Sequence, residues 1–153
     1  MSLTILKPGL QTTLQGSPRT GYRHMGVPWA GPADPLSLAL ANRLVGAPPE
    51  ATALEITLGG LLLRFDADTA FALTGAPAPA ILSGEPVNLH ETIRAHAGDV
   101  LELAMPSVGM RTYLALAGTL AATHVIGSPS TYLPAGLGGH EGRACKHCAS
   151  GRV

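Results

Sequence analysis

Charge is scarce in this chain. Asp, Glu, Lys and Arg make up only 13% of its 153 residues, against ~25% in an ordinary soluble domain. So little charge fits a surface partly covered by a partner, and it equally fits a small alanine-rich domain. The ten acidic and ten basic residues cancel, so no net field draws in nucleic acid or an anionic membrane. No apolar run reaches the ~18 residues that span a bilayer. Met1 to Gly9 lacks the basic start and apolar core of a signal peptide. One cytoplasmic domain is expected, long enough to bury a sizeable core. Cysteine is nearly missing as well: Cys145 and Cys148 stand alone, in the final nine residues. With His147 they form a CxxC that can bind zinc or exchange thiols. A structural zinc site needs four ligands, however, and a redox CxxC opens a helix rather than sitting in a tail. No metal is expected. Neither GxxxxGK[ST] nor GxSxG occurs, which removes the signatures of a phosphate loop and of a serine nucleophile.

Glycine and proline are plentiful, and they concentrate between Lys7 and Gly46. Five glycines (9, 16, 21, 26, 31) alternate there with five prolines (8, 18, 28, 32, 35). Prolines fix φ and glycines permit positive φ, so the segment reads as a long structured loop. Tyr22, Val27 and Trp29 give it something to bury. A helix follows at about residues 34–46, with Asp34 as N-cap, Pro35 at the first position and Gly46 past the end. Leu36, Leu40 and Leu44, flanked by Ala41 and Val45, form its apolar stripe.

Beyond Pro48-Pro49 the pattern is of short strands at roughly ten-residue spacing, as in an all-β barrel or sandwich. Residues 53–58 and 61–65 flank Gly59-Gly60 and read as a tight hairpin. Further strands are expected at 69–74, 80–82, 91–95, 100–105 and 111–117, preceded by short ones at 4–7 and 10–14.

Three constellations carry chemistry. Arg19, Arg23 and His24 lie in the early loop, where an arginine fork with neighbouring amides can grip a carboxylate or phosphate; the arginines can equally tie the loop to the barrel. Arg111 and Tyr113 share one face at a strand start, either lining a barrel mouth or serving as rim residues. Ser128, Ser130 and Thr131, followed by a glycine-rich run to Arg143, read as an oxyanion-binding loop. Glu55 sits inside the apolar run ALEITL. A buried carboxylate there demands a partner, and an arginine across the site is the expected one.

These segments together resemble one family. PGLQTTLQ (8–15), RTGYRHMGVPWAGPAD (19–34), LALANRLVG (38–46), LEITLGG (54–60), ALTGA (72–76), GMRTYLALAG (109–118) and GSPST through GLGGHEGR (127–143) are similar to the biotin-dependent carboxyltransferase or allophanate hydrolase subunit 2 family. That family includes the C-type component of 5-oxoprolinase and a sporulation-kinase regulator. The likeness runs from residue 4 to 144, so residues 1–144 are expected to form the N-terminal part of the family domain. Where the family carries an acid after Leu-Gln, this chain has Gly16. The tail CKHCASGRV also departs from the family style. Read one nucleotide out of step, Ala-Cys-Lys-His-Cys-Ala can encode Ala-Leu-Gln-Ala-Leu-Arg, so a frameshifted or truncated gene is expected.

The resemblance implies a mainly β, cyclophilin-like barrel and, as partners, the A-type and B-type components of the same complex. It implies an ATP-dependent complex opening 5-oxoproline to glutamate, with Arg19, Arg111 and Arg143 on an anionic group and the Ser128–Thr131 loop as oxyanion donors. ATP would act through the complex. Biotin would enter only in the alternative role, as carboxyltransferase of a urea carboxylase. A non-catalytic kinase-regulating module is the other alternative, and the chain alone is expected to be inactive.

Overall fold

Leu61, Leu63 and Phe65 are buried while Leu62 and Arg64 are not, the period of two required of a strand with one face on a core. The computed structural model describes residues 3–146, which form two five-stranded antiparallel sheets and one helix. In the first sheet the strand order is β1 (Leu3–Pro8), β4 (Leu61–Phe65), β9 (Val100–Leu103), β6 (Ala80–Leu82) and β7 (Glu85–Val87). In the second it is β2 (Gln11–Gln15), β3 (Ala53–Thr57), β10 (Arg111–Leu116), β5 (Thr69–Gly75) and β8 (Thr92–Ala95). Leu3, Ile5, Leu63 and Leu101 from the first sheet meet Leu14, Leu54, Phe71 and Leu114 from the second in one core. Phe65 and Phe71 stack across it with centroids 5.0 Å apart. This is the mainly β architecture with a single helix that the sequence predicts.

The hairpin expected at Gly59-Gly60 is not one. β3 and β4 belong to different sheets and do not pair; the two glycines carry the chain from one sheet to the other. Gly59 has φ +65, and a Cβ there would stand 2.0 Å from the Ala104 carbonyl oxygen. The turn is therefore open only to glycine. The same double-glycine signal serves a crossing as well as a hairpin, which is why the local pattern misled.

The helix α1 spans Pro35–Leu44 and lies on the outer face of the second sheet. Leu38, Ala41 and Val45 pack on Ala53, Tyr113 and Ala115. The stripe read from the sequence is packed only along its Ala41–Val45 flank: Leu36 is 79% and Leu40 41% exposed. Asn42 turns inward instead, because its amide donates to the Pro49 and Ala51 carbonyls and so meets the cost of burial. Covered on both faces, β3 is buried at all five positions. Among the described residues no helix is long and apolar enough to cross a membrane.

Asp34 caps α1: Oδ1 accepts the Ser37 N–H at 3.1 Å and Oδ2 the Ser37 hydroxyl at 2.5 Å. These bonds, the hydroxyl's first, hold its carboxyl below the usual range. The folded pKa is lower than the unfolded one, so the cap's contribution is present above ~4 and fades as pH falls through the folded value. Asp34→Ala is expected to cost about 1 kcal/mol at pH 7, with the deficit shrinking in acid. Urea unfolding at neutral and acid pH checks this; a deficit independent of pH would remove the cap from the account.

Candidate anion and amide site

Strand register places polar side chains side by side on the outer face of the second sheet. Thr13 on β2 is opposite Glu55 on β3, which is opposite Tyr113 on β10, which is opposite Thr74 on β5. One row further on, Gln11, Thr57 and Arg111 are opposed in the same way. Directly opposed side chains lie within ~5.5 Å at Cβ, close enough to interact.

Glu55 is the hub. Its Oε2 accepts the Tyr113 hydroxyl at 2.7 Å and the Ala33 N–H at 2.8 Å. The Tyr113 oxygen in turn accepts the Asp34 N–H at 2.8 Å, which ties the loop ahead of α1 to the sheet. Burial, and then the bond and charge of Glu55, raise the Tyr113 pKa well above its ordinary value. The phenol therefore remains a donor at neutral pH. Arg111 Nε stands 3.4 Å from Glu55 Oε1. This is an ion pair without a hydrogen bond, since Nε and Nη1 of Arg111 are buried with no hydrogen-bond partner. The rest of Arg111 reaches the surface, leaving its side chain 29% exposed.

A second polar assembly joins two loops. Arg19 is completely buried, and burial lowers its pKa from the ordinary value. Its Nε donates to the Val125 carbonyl at 2.9 Å, and Nη2 donates to those of Ser130 at 2.9 Å and Ser128 at 3.4 Å. Ser128 Oγ donates to the Ser17 carbonyl, Ser130 Oγ to those of Gly16 and Ser17, and Thr131 Oγ1 to that of Leu14. Gly138 closes the seam: a Cβ there would lie 2.3 Å from the Ser130 oxygen and 2.8 Å from Arg19 Nη2. Gln15 links this seam to the sheet face, donating to Thr13 Oγ1 and to the Thr131 carbonyl.

The structure thus brings Glu55, Arg111 and Tyr113 into one cluster, and Arg19, Ser128, Ser130 and Thr131 into another. Arg23 and His24 lie apart on an exposed 3₁₀ turn, with Arg23 5.6 Å from the Trp29 ring centroid. Arg143 pairs with Glu141 on the surface. Gly16 packs under Pro129, whose Cγ would be 2.8 Å from a Cβ at that position. Cys145 is buried, and its N–H donates to the Thr12 carbonyl; His147 and Cys148 lie outside the described residues. Among the described residues no group of His, Cys, Asp and Glu could hold a metal.

Residues 25–149 match the family model described as carboxyltransferase domain, subdomain A and B. The chain belongs to the carboxyltransferase family. It is 44% identical over 144 residues to the C-type component of 5-oxoprolinase from Escherichia coli, covering 94% of this chain and 46% of that protein. It is 39% identical over 143 residues to urea amidolyase of Lachancea kluyveri, covering 93% of the chain and 8% of the larger protein. The crystal structure of the Kluyveromyces lactis urea carboxylase superposes with a TM-score of 0.92 at 38% identity, covering 95% of this chain and 13% of that one. The chain thus spans about half the length of the bacterial 5-oxoprolinase component it matches. Within this carboxyltransferase fold, sequence reasoning missed Thr57 and Gln15. Both could have been found from register, since each lies two residues from a member of the Thr13–Glu55–Tyr113 row on the same face.

Proposed function

We propose that the chain forms part of one component of a 5-oxoprolinase-type amidohydrolase, which with A-type and B-type partner proteins converts 5-oxoproline to glutamate. The observation that carries this reading is Arg111. It is half of a buried ion pair, partly open to solvent, and keeps two buried N–H groups unspent. Such a group can hold a small polar substrate beside a fixed carboxylate. A role within a complex is supported by the exposed apolar side chains Leu10, Met105, Val108 and Met110. They sit on turns brought together where Gly9 meets Gly59 and Gly59 meets Ala104, and Met110 directly precedes Arg111. Exposed apolar groups gathered at one end mark a surface for a partner. In this reading ATP is used by the complex, and this chain holds neither ATP nor biotin.

The match to urea carboxylase favours a second reading, a carboxyltransferase component of a urea-metabolising enzyme that draws on carboxybiotin. Co-expression with the A-type and B-type proteins, followed by an assay of 5-oxoproline-dependent ATP hydrolysis, separates the two. The expected result is turnover that Arg111→Ala reduces by about a hundredfold or more while the variant remains folded. Turnover unchanged by Arg111→Ala would dispose of the reading. Turnover with urea and carboxybiotin instead would favour the second.

A further inference from the structure

We propose that Arg111 and Thr57 together form a docking point for the neutral carbonyl oxygen of an amide, and not for a carboxylate. The inference rests on the amide-acting reading above and goes beyond it, by assigning what this point binds. Thr57 is directly opposite Arg111 across β3 and β10. It is only 7% exposed, and its hydroxyl has no hydrogen-bond partner. Arg111 contributes two buried N–H groups, Nε and Nη1, in the same condition. A buried donor left unmatched carries its full desolvation penalty, so three such groups side by side form an arrangement that an incoming acceptor oxygen completes.

Local charge decides which acceptor. Glu55 Oε1 already stands 3.4 Å from Arg111 Nε, so the arginine's charge is balanced. An anionic ligand would therefore enter a region whose one cation is already matched by the Glu55 carboxylate. Like charges a few ångströms apart in a partly desolvated site repel strongly. A neutral carbonyl avoids that repulsion and still takes the charge-assisted N–H and the hydroxyl. The other paired arginines do not offer this: Arg64 spends Nε and Nη2 on Asp66 Oδ1, and Arg143 donates to Glu141.

The chemistry fits a lactam or a urea carbonyl, and the test separates them. The assembled complex is titrated with 2-pyrrolidinone, urea and cyclopentanecarboxylate as competitors of 5-oxoproline. We expect 2-pyrrolidinone, which has the lactam carbonyl and no carboxylate, to compete; competition by urea alone would assign the point to a urea carbonyl. Thr57→Val should weaken the competing amide about tenfold, the worth of one hydrogen bond. Thr57→Ser, which restores the hydroxyl, should recover it. Competition by cyclopentanecarboxylate as strong as by the amides would overturn the proposal, and so would Thr57→Val competition equal to wild type. Should the wild-type complex fail to turn over 5-oxoproline, the same titrations are read by direct calorimetry. Thr57-dependent amide binding would then sustain this inference while the proposed reaction falls. Normal turnover with no effect of Thr57→Val would do the reverse.

Discussion

Arg19→Met is expected to lower the thermal unfolding midpoint by about 10 °C or more, from a cost of roughly 3–5 kcal/mol. Two effects oppose each other. Removing a buried charge returns its desolvation cost, and replacing a whole buried ion pair with apolar groups is often neutral or stabilising. Here the partners cannot be removed with it. Val125, Ser128 and Ser130 present backbone carbonyls to Arg19; methionine strips the Ser130 carbonyl of its donor and leaves those of Val125 and Ser128 only the backbone bonds they exchange with each other. The unsatisfied Ser130 carbonyl costs about 1–3 kcal/mol, and the two further charge-assisted bonds lost at Val125 and Ser128 add to it, so the loss wins. Arg19→Lys keeps the charge but concentrates its donors on one nitrogen, which cannot reach Val125 and Ser130 as a guanidinium fork does. It should recover only part of the deficit. A midpoint for Arg19→Met within about 2 °C of wild type would show that the two loops are held by the serine and threonine hydroxyls alone.

Much of the fold was legible because it rests on local chemistry. Asp34, Pro35 and Gly46 announce α1 by capping, and Leu61-Leu62-Leu63 with Phe65 announces a strand by alternation. Long-range placement was not legible. Gly59-Gly60 supplies the same positive φ for a hairpin and for a crossing between sheets, and only the pairing of β3 with β2 and β10 separates them. The buried side of α1 was misjudged for a related reason. Leu36 and Leu40 outrank Asn42 on any hydrophobic scale, yet Asn42 finds two carbonyls in the residues after the helix and turns inward. Within the site, an odd Glu55 in an apolar run correctly called for an arginine. That it would be Arg111 follows from the register of β3 and β10, which no single strand contains. Arg19 carried two readings in the sequence, an anion grip or a tie between loops. Its present bonds all run to backbone carbonyls between residues 125 and 130, contacts more than one hundred residues distant in the chain.

The second large effect is expected at Glu55. Glu55→Ala should cost about 3–5 kcal/mol, because it leaves the Arg111 charge without its carboxylate and strands the Tyr113 hydroxyl and the Ala33 N–H. Tyr113→Phe removes one donor to the same oxygen and the acceptor for Asp34 N–H, a smaller loss of about 1–3 kcal/mol. The two side chains share a 2.7 Å bond, so their effects should not add: a cycle with Glu55→Gln and Tyr113→Phe is expected to give a coupling of about 1–3 kcal/mol. pH offers an independent check. The folded Tyr113 pKa is raised by burial first and by Glu55 second, so the folded state retains a proton that the unfolded chain gives up above ~10. Stability from this group is complete below that pH and declines as pH rises toward the folded value. Wild type should lose stability as pH rises above about 10, and Tyr113→Phe should lose less over the same interval. Equal alkaline losses would detach the phenol from that decline. A coupling near zero would mean that Glu55 is held by Ala33 and Arg111, and that the polar row across the second sheet is not one cooperative unit.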